Sequence, residues 1–238
     1  ADEAAEPTLI EVETTGGPVT VGLVSYTYAF NGIPYPGGDT WRSNLIDQDC
    51  VRGGSCEPAA AEIVADAAAA RDAGAEVVVA SMHWGDEYRH EPNANQVNLA
   101  PLLVAAPEID LVLGHHAHVV QPVEYLDGKW VAYGLGNLMA AHATPGQELR
   151  EGLLVRFTFM EDPETGEFTT TDAEYLPVYQ TYAAPRRVVN VPDALAGGPD
   201  GSESTERLKV ALERTADVVG SRGAFDDGLR LLENGGQE

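Results

Sequence analysis

The sequence predicts an α/β protein whose central strands are parallel. Residues 77–82 and 109–113 are short, continuous apolar runs, as expected of strands that are buried on both faces. An Ala-rich helical segment over 58–73 precedes the first run, and a second helix over about 94–105 separates the two runs. Because strand, helix and strand in this order form a crossover, the two strands are expected to run parallel in one sheet.

Two predicted hairpins add antiparallel strands to this core. Residues 8–12 and 19–26 are strand-like and flank a Thr-Gly-Gly-Pro turn. Residues 152–160 and 168–176 alternate polar with apolar side chains around an Asp-Pro-Glu-Thr-Gly turn. The Gly-, Pro- and Asn-rich stretch over 28–57 is predicted to be a long surface loop.

The chain is strongly acidic, with a net charge of -24 from 38 acidic and 14 basic residues. It has no basic patch to neutralise phosphates, so its surface repels nucleic acid, and the charge argues against an anionic membrane as a partner. No apolar stretch approaches the roughly 20 residues of a transmembrane helix. The charge itself favours solubility or salt adaptation over a specific function.

Cys50 and Cys56 are the only cysteines, and they flank a flexible Val-Arg-Gly-Gly-Ser loop. Two cysteines with none left over favour one disulfide that closes this loop, and hence an extracytoplasmic location. The alternative is a pair of unpaired thiols in a mobile loop. A thiolate metal site is disfavoured, because no further Cys or His lies close in the sequence.

Histidines follow both predicted parallel strands at their carboxyl ends, where α/β sheets bind ligands. His83 ends the first run, and His116 and His118 follow the second. Imidazoles that converge there are suitable ligands for a divalent metal ion such as Zn, Mn or Fe. Alternation points His115 away from its neighbours, towards the rim. The competing interpretations are a hydrogen-bonded core His83, a polar surface turn at 115–118, and a structural or regulatory zinc site.

The residues around these histidines are further candidates. Asp86, Glu87 and His115 form the predicted catalytic group, in which the carboxylates orient ligands or a water molecule. Trp84 and Asn137 are assigned to substrate binding, the amide of Asn137 facing an anionic group. Alternatively, Trp84 packs the loop and Asn137 caps a turn at the end of a strand.

Three motifs in this order resemble the CapA/PgsA family of bacterial capsule and poly-γ-glutamate synthesis proteins. They are HWGDEY at 83–88, GHHAHVVQP at 114–122 and YGLGN at 133–137, with GLVSYT at 22–27 as a further similar segment. The resemblance covers 19–137 and continues weakly to about 182. It implies the calcineurin-like metallophosphoesterase fold, a layered sandwich of mixed β-sheets flanked by helices.

The resemblance also implies a site and a function. His83 matches the family's single metal-binding His, and His116 and His118 match its paired ligands. In related phosphoesterases such groups hold two ions that activate water against a phosphate ester. The implied substrate is an anionic polymer or a phosphate ester, and capsule or polyglutamate synthase subunits are implied partners. The alternative is a non-catalytic accessory or polymer-anchoring protein with a degenerate or structural metal site.

The chain departs from the family pattern in its metal ligands. The Gly-Asp strand end, the Asn-Leu-Glu loop and the Asn-Asn-His segment of the family are not found. Three imidazoles without these groups are expected to hold one ion rather than a bridged pair. We therefore expect 1–190 to be the C-terminal part of the domain, incomplete and with an exposed sheet edge. The alternatives are that the missing half is supplied from elsewhere or that the site is degenerate. A linker over 191–203 and a helical tail over 204–238 are expected to follow.

Overall fold

The computed structural model describes residues 7–30, 33, 43–140, 146–182, 184–197 and 203–232. The strands are β1 Thr8–Thr14, β2 Gly17–Thr27, β3 Val77–His83, β4 Leu111–His115, β5 Val123–Leu126, β6 Lys129–Ala132, β7 Glu151–Glu161, β8 Phe168–Gln180, β9 Val188–Asn190 and β10 Arg230–Leu231. The α-helices are α1 Gln48–Val51, α2 Glu57–Asp72, α3 Ala94–Val104, α4 Val191–Gly197 and α5 Thr205–Gly220, and Glu148–Arg150 forms a 3₁₀ turn.

The two helices of the predicted crossovers begin and end at recognisable signals. Helix α2 has Pro58 in its first turn, where a missing N–H costs nothing, and Gly74 follows its end with a φ of 105°. Helix α3 starts with a capping box in which the Asn93 side chain accepts from Gln96 N, and the Gln96 side chain accepts from Asn93 N. Both predicted helices are confirmed to within one residue at each end.

The first sheet has the strand order β1-β2-β3-β4-β6-β5. Its inner pairs β2–β3, β3–β4 and β4–β6 are parallel, which confirms the prediction for the centre of the sheet. Strands β1 and β5 are antiparallel additions. The second sheet has the order β10-β8-β7, with β9 paired to β8, and its β7–β8 pair is the predicted second hairpin.

Strand β4 shows how the layers are arranged, because its successive side chains enter different cores. Val112 packs with Ile63 of α2 and Leu99 of α3. Leu111, its neighbour on the opposite face, packs with Leu153 of the second sheet. Helices therefore cover one face of the first sheet and the second sheet covers the other. The predicted class, a layered α/β sandwich of mixed sheets flanked by helices, is confirmed.

Strand β1 forms an exposed edge of the first sheet, as expected. All seven of its residues are exposed, including the apolar Leu9, Ile10 and Val12. Within the described ranges, β2 is the only strand that pairs with β1. Backbone groups along such an edge are available for pairing with a further strand.

The C-terminal region differs from the predicted linker and tail. The linker segment begins as helix α4, in which Val191 is fully buried against Tyr179 and Leu208. Helix α5 packs on the second sheet, and the chain then returns to pair β10 in parallel with β8. The apolar side chains of α4 and α5 account for the difference, because they are buried only by packing on the sheet. Residues 198–202 lie outside the described residues.

Cys50 and Cys56 form the predicted disulfide, with their Cα atoms 4.5 Å apart. Both are buried in the core that contains α2 and α3. Their pairing ties α1 to the start of α2. In the described part of the chain, no helix is both long and apolar enough to cross a membrane.

Candidate functional site

The three predicted metal-binding histidines meet at the carboxyl edge of the first sheet. Strands β3 and β4 are adjacent and parallel, with His83 opposite His115. Beyond β4 the chain turns sharply, because His116 and His118 have φ values of 98° and 59°, which are uncommon outside glycine. The turn brings the ring centroid of His116 to 4.6 Å from that of His83 and to 6.2 Å from that of His118.

One buried nitrogen in this cluster has no hydrogen-bond partner among the described residues. His116 is only 9% exposed, and its Nδ1 is buried without a hydrogen-bond partner among the described residues. Such an atom costs about 1–3 kcal/mol unless another group satisfies it. A neutral imidazole nitrogen is also a good ligand for a divalent cation, so the donor chemistry fits a metal ion. However, no group of three or more His, Cys, Asp or Glu within the described ranges has the arrangement of a metal site.

The surroundings favour the uncharged form of these imidazoles. Burial lowers the pKa of His83, and the neighbouring His116 and His115 lower it further. Burial also lowers the pKa of His116, although the negative charges of Glu87 and Asp86 oppose this effect. Because metal ions bind the neutral ring, the two lowered pKa values keep both histidines in the ligand form near neutral pH.

His118 is oriented by Asn137. His118 Nδ1 donates to Asn137 Oδ1 at 2.9 Å, which leaves Nε2 as the nitrogen that can act as a ligand. Both N–H donors of the Asn137 amide are used, because Nδ2 donates to the backbone carbonyls of His118 and Leu149, each at 3.0 Å. Asn137 is only 7% exposed. The structure therefore places Asn137 in a buried position, in contact with the His118 ring, and its predicted contact with a substrate stays a prediction.

Trp84 is placed in the core, contrary to the prediction of substrate contact. Its side chain is 1% exposed, and its Nε1 donates to the carbonyl of Tyr133 at 2.9 Å. It packs beside the β4 backbone at Gly114, where a Cβ would meet both Trp84 Nε1 and the Tyr133 carbonyl. A substrate cannot reach this ring, so Trp84 contributes by supporting the strand that carries the histidine turn.

The predicted catalytic residues lie around the open side of the cluster. Asp86 and Glu87 are exposed, and Glu87 Oε1 lies 3.9 Å from His118 Nε2. Both carboxylates are near enough to raise the pKa of His116 through their charge. His115 is also exposed, and it ends β4 directly opposite His83. These three groups are placed at the rim, where solvent and a ligand can reach them.

Two tyrosines that the sequence analysis did not assign to the site contact its histidines. The Tyr28 ring stacks on His83 at 5.9 Å and lies 4.6 Å from that of His116. Burial and the charges of Glu87 and Asp86 raise the Tyr28 pKa. Tyr88, which has a φ of 64°, stacks on His118 at 6.0 Å. The position of Tyr28 could have been predicted from the sequence, because Tyr28 directly follows β2 at the same edge of the parallel sheet.

Glu151 is buried behind Asn137, and its charge predicts a pH effect on stability. Its side chain is 2% exposed and lies 3.5 Å from Arg214 Nη1, and burial raises its pKa to about 7. A raised carboxyl pKa favours the folded state below the unfolded pKa of 4.5 and loses this contribution as pH rises through about 7. We expect the Glu151→Gln variant to gain stability relative to wild type between pH 5 and 8, by up to about 3 kcal/mol.

Urea unfolding of both proteins across this pH range measures the difference. Glu148→Gln is the matched control, because Glu148 contacts the same Arg214 at 3.5 Å but is substantially exposed. A constant difference between Glu151→Gln and wild type at all pH values would contradict the prediction.

Comparison with known proteins supports the resemblance inferred from the motifs. Residues 1–142, more than half of the chain, match the family described as bacterial capsule synthesis protein PGA_cap. The PGA biosynthesis protein CapA of Bacillus subtilis (strain 168) is 35% identical over 97 residues, which are 41% of this chain and 24% of that protein. The capsule biosynthesis protein CapA of Bacillus anthracis is 38% identical over 65 residues, which are 27% of this chain and 16% of that protein.

A solved structure and the extent of the match complete the comparison. The calcineurin-like phosphoesterase YfkN from Bacillus subtilis aligns with 89% of this chain and 56% of its own at 13% identity, with a TM-score of 0.38. Because this TM-score is low, the description of the fold rests on the strand order and pairing given above and not on this alignment. The aligned segments span a quarter or less of the two CapA proteins. The family match, in contrast, is extensive and contains all three histidine ligands predicted from the motifs: the chain belongs to the bacterial capsule synthesis protein family PGA_cap.

Proposed function

We propose that this chain carries a metal-dependent, phosphoesterase-like hydrolase site that acts in the synthesis of a capsule or poly-γ-glutamate. The convergence of His83, His116 and His118 from two adjacent strands is the observation that carries the proposal, together with the unsatisfied Nδ1 of His116. These three residues would hold a divalent ion such as Zn, Mn or Fe. When bound, such an ion lowers the pKa of a water molecule and polarises a phosphoryl oxygen.

The other residues of the site would prepare the ligands and handle protons. Asn137 holds the ring of His118 and sets its tautomer, so that Nε2 faces the open side. Glu87 and Asp86 are exposed carboxylates beside the histidines, suited to orient a water molecule and to accept its proton. His115 lies at the rim, and because burial lowers the pKa of its imidazole, the neutral ring is suited to accept a proton or a hydrogen bond from the substrate.

The substrate class and the location belong to the same proposal. The similar Bacillus proteins are named for PGA and capsule biosynthesis, which supports an anionic polymer or a phosphate ester as the substrate. Synthase subunits for such a polymer are the proposed partners. The disulfide between Cys50 and Cys56 supports an extracytoplasmic location, since such bonds persist in oxidising compartments.

A specific observation favours a second candidate function. Within the described residues, no three metal-binding side chains are already arranged around one point. This supports an accessory or polymer-anchoring protein whose metal site is structural or degenerate.

Metal titration of the wild-type chain distinguishes the two candidates. We expect the chain, after treatment with chelator, to bind Zn, Mn or Fe in calorimetry and to hydrolyse a generic phosphodiester only when metal is restored. A change in the histidine NMR signals on binding would identify the ligands. Binding of metal with no turnover for any ion would favour the accessory function. The absence of both would contradict the hydrolase proposal.

A further inference from the structure

Basic residues are scarce in this chain, yet several gather around the end of β8. Five of the 14 basic residues lie in the 3₁₀ turn before β7, in the segment between β8 and β9, and on α5, and they are Arg150, Arg186, Arg187, Arg207 and Arg214. In a chain with a net charge of -24, such a concentration of arginine attracts an anion locally, although Glu203 offsets part of the charge of Arg207, and Glu148 and Glu151 offset part of that of Arg214.

The centre of this group is Tyr182, which is 44% exposed. The guanidinium carbon of Arg150 lies 3.7 Å from the centre of the Tyr182 ring, and that of Arg207 lies at 4.6 Å. Two like charges over one ring repel each other, although each is attracted to the π-electrons. An anion between or beside the guanidinium groups would remove this repulsion.

Each of the two guanidinium groups makes one hydrogen bond to a described residue and has further N–H donors available. Arg150 Nη1 donates to the carbonyl of Thr181 at 3.3 Å. Arg207 Nη1 donates to Glu203 Oε1 at 2.8 Å, and this buried carboxylate also accepts from the backbone N–H of Tyr182. The remaining guanidinium N–H groups of Arg150 and Arg207 have no hydrogen bond within the part of the chain that the structure describes, and Arg150 has no ion pair there.

The arginine pair is linked to the histidine site through one segment. Asn137, which orients His118, donates to the carbonyl of Leu149, the residue before Arg150. Ala140 lies three residues after Asn137, and its backbone N–H donates to the side chain of Gln180 at the end of β8. Leu138 and Met139, which lie between these two contacts, are exposed, so this segment offers a surface along which an extended ligand would connect the two groups.

We propose that Arg150, Tyr182 and Arg207 form a subsite for carboxylate groups of an acidic polymer whose continuing chain reaches the histidine site. The planar guanidinium fork matches a carboxylate, and a polymer supplies such groups at repeated positions. This inference rests on the proposed function in polymer synthesis, and it assigns to that function a binding surface outside the histidine cluster.

Binding of fluorescently labelled poly-γ-glutamate oligomers to the whole chain, in EDTA and at low salt, tests the proposal. We expect Arg150→Gln/Arg207→Gln to weaken binding at least about tenfold, because two charge-assisted contacts are lost. Arg150→Gln alone, which leaves the Glu203 pair intact, is expected to weaken it by about threefold or more. The control is Arg52→Gln, which removes one exposed arginine from the disulfide loop and is expected to change binding by less than about twofold.

Thermal unfolding of every variant separates loss of binding from loss of structure. Equal binding by wild type and the folded Arg150→Gln variant would overturn the proposal, as would no binding of the polymer by wild type. Binding of inorganic phosphate in place of the polymer would overturn the assignment to carboxylates. The measurement requires neither metal nor turnover, so a failed hydrolase assay leaves its result unaffected.

Discussion

The His116→Ala/His118→Ala variant is expected to lose metal-dependent phosphodiester turnover by about 10³-fold or more and to bind less metal. The two rings lie 6.2 Å apart on one turn, and His116 contributes the buried nitrogen that has no partner among the described residues. Stabilisation of a transition state by a metal ion is worth several kcal/mol, and each 1.36 kcal/mol corresponds to tenfold in rate. Elemental analysis and initial rates on a generic phosphodiester measure the two effects.

His90→Ala is the matched control for this variant. His90 lies in the same loop after β3, but its Nδ1 pairs with the carbonyl of Val120 at 2.7 Å and not with the three predicted ligands. We expect this control to retain its metal and its turnover. Unchanged metal content and rate in the folded double variant would contradict the assignment of His116 and His118 as ligands and would remove the basis of the hydrolase proposal.

Gly114→Ala is expected to lower the free energy of unfolding by about 3 kcal/mol or more. The added Cβ would overlap the backbone carbonyl of Tyr133 and the indole nitrogen of Trp84, and both neighbours are buried. A backbone carbonyl of the neighbouring chain segment cannot turn aside as a flexible side chain can, so β4 would have to move. The same shift would displace His116, two residues later, and weaken metal binding.

Urea unfolding measures this cost, and Gly197→Ala is its control. A Cβ at Gly197, the last residue of α4, meets no atom within 4 Å, so a change of less than about 1 kcal/mol is expected there. Equal stability of the two glycine variants would show that β4 can relax around the added methyl group, contrary to the packing described here.

The sequence predicted the parts of the site that depend on local pattern. The apolar run ending at His83 and the run before His116 are strands whose carboxyl ends meet, because parallel neighbours place equivalent ends at one edge. The three motifs also identified the family, which the match over 1–142 confirmed. The division into domain, linker and tail stays a prediction, although residues 191–197, at the start of the predicted linker, form α4, with Val191 buried beside Tyr179 and Leu208.

Other residues could not be assigned from their neighbours in the chain. Tyr28 lies 55 positions before His83, and their contact exists only because β2 and β3 pair in register. Trp84 adjoins a ligand in sequence, yet its indole enters the core to reach Tyr133. Asn137 was predicted to face a substrate, but its side chain is buried, where it donates to two backbone carbonyls and accepts from one imidazole.

The sequence by itself determined the strand and helix periods, the edge at which the histidines gather, the cysteine pair and the family. Periodicity and turn residues express local preferences, which each segment carries with it. The tertiary structure alone decided which side chains face that edge, which are buried beneath it, and that Arg150 and Arg207 share the ring of Tyr182. Those outcomes depend on contacts between distant segments, whose free energies of burial and hydrogen bonding outweigh the local preferences.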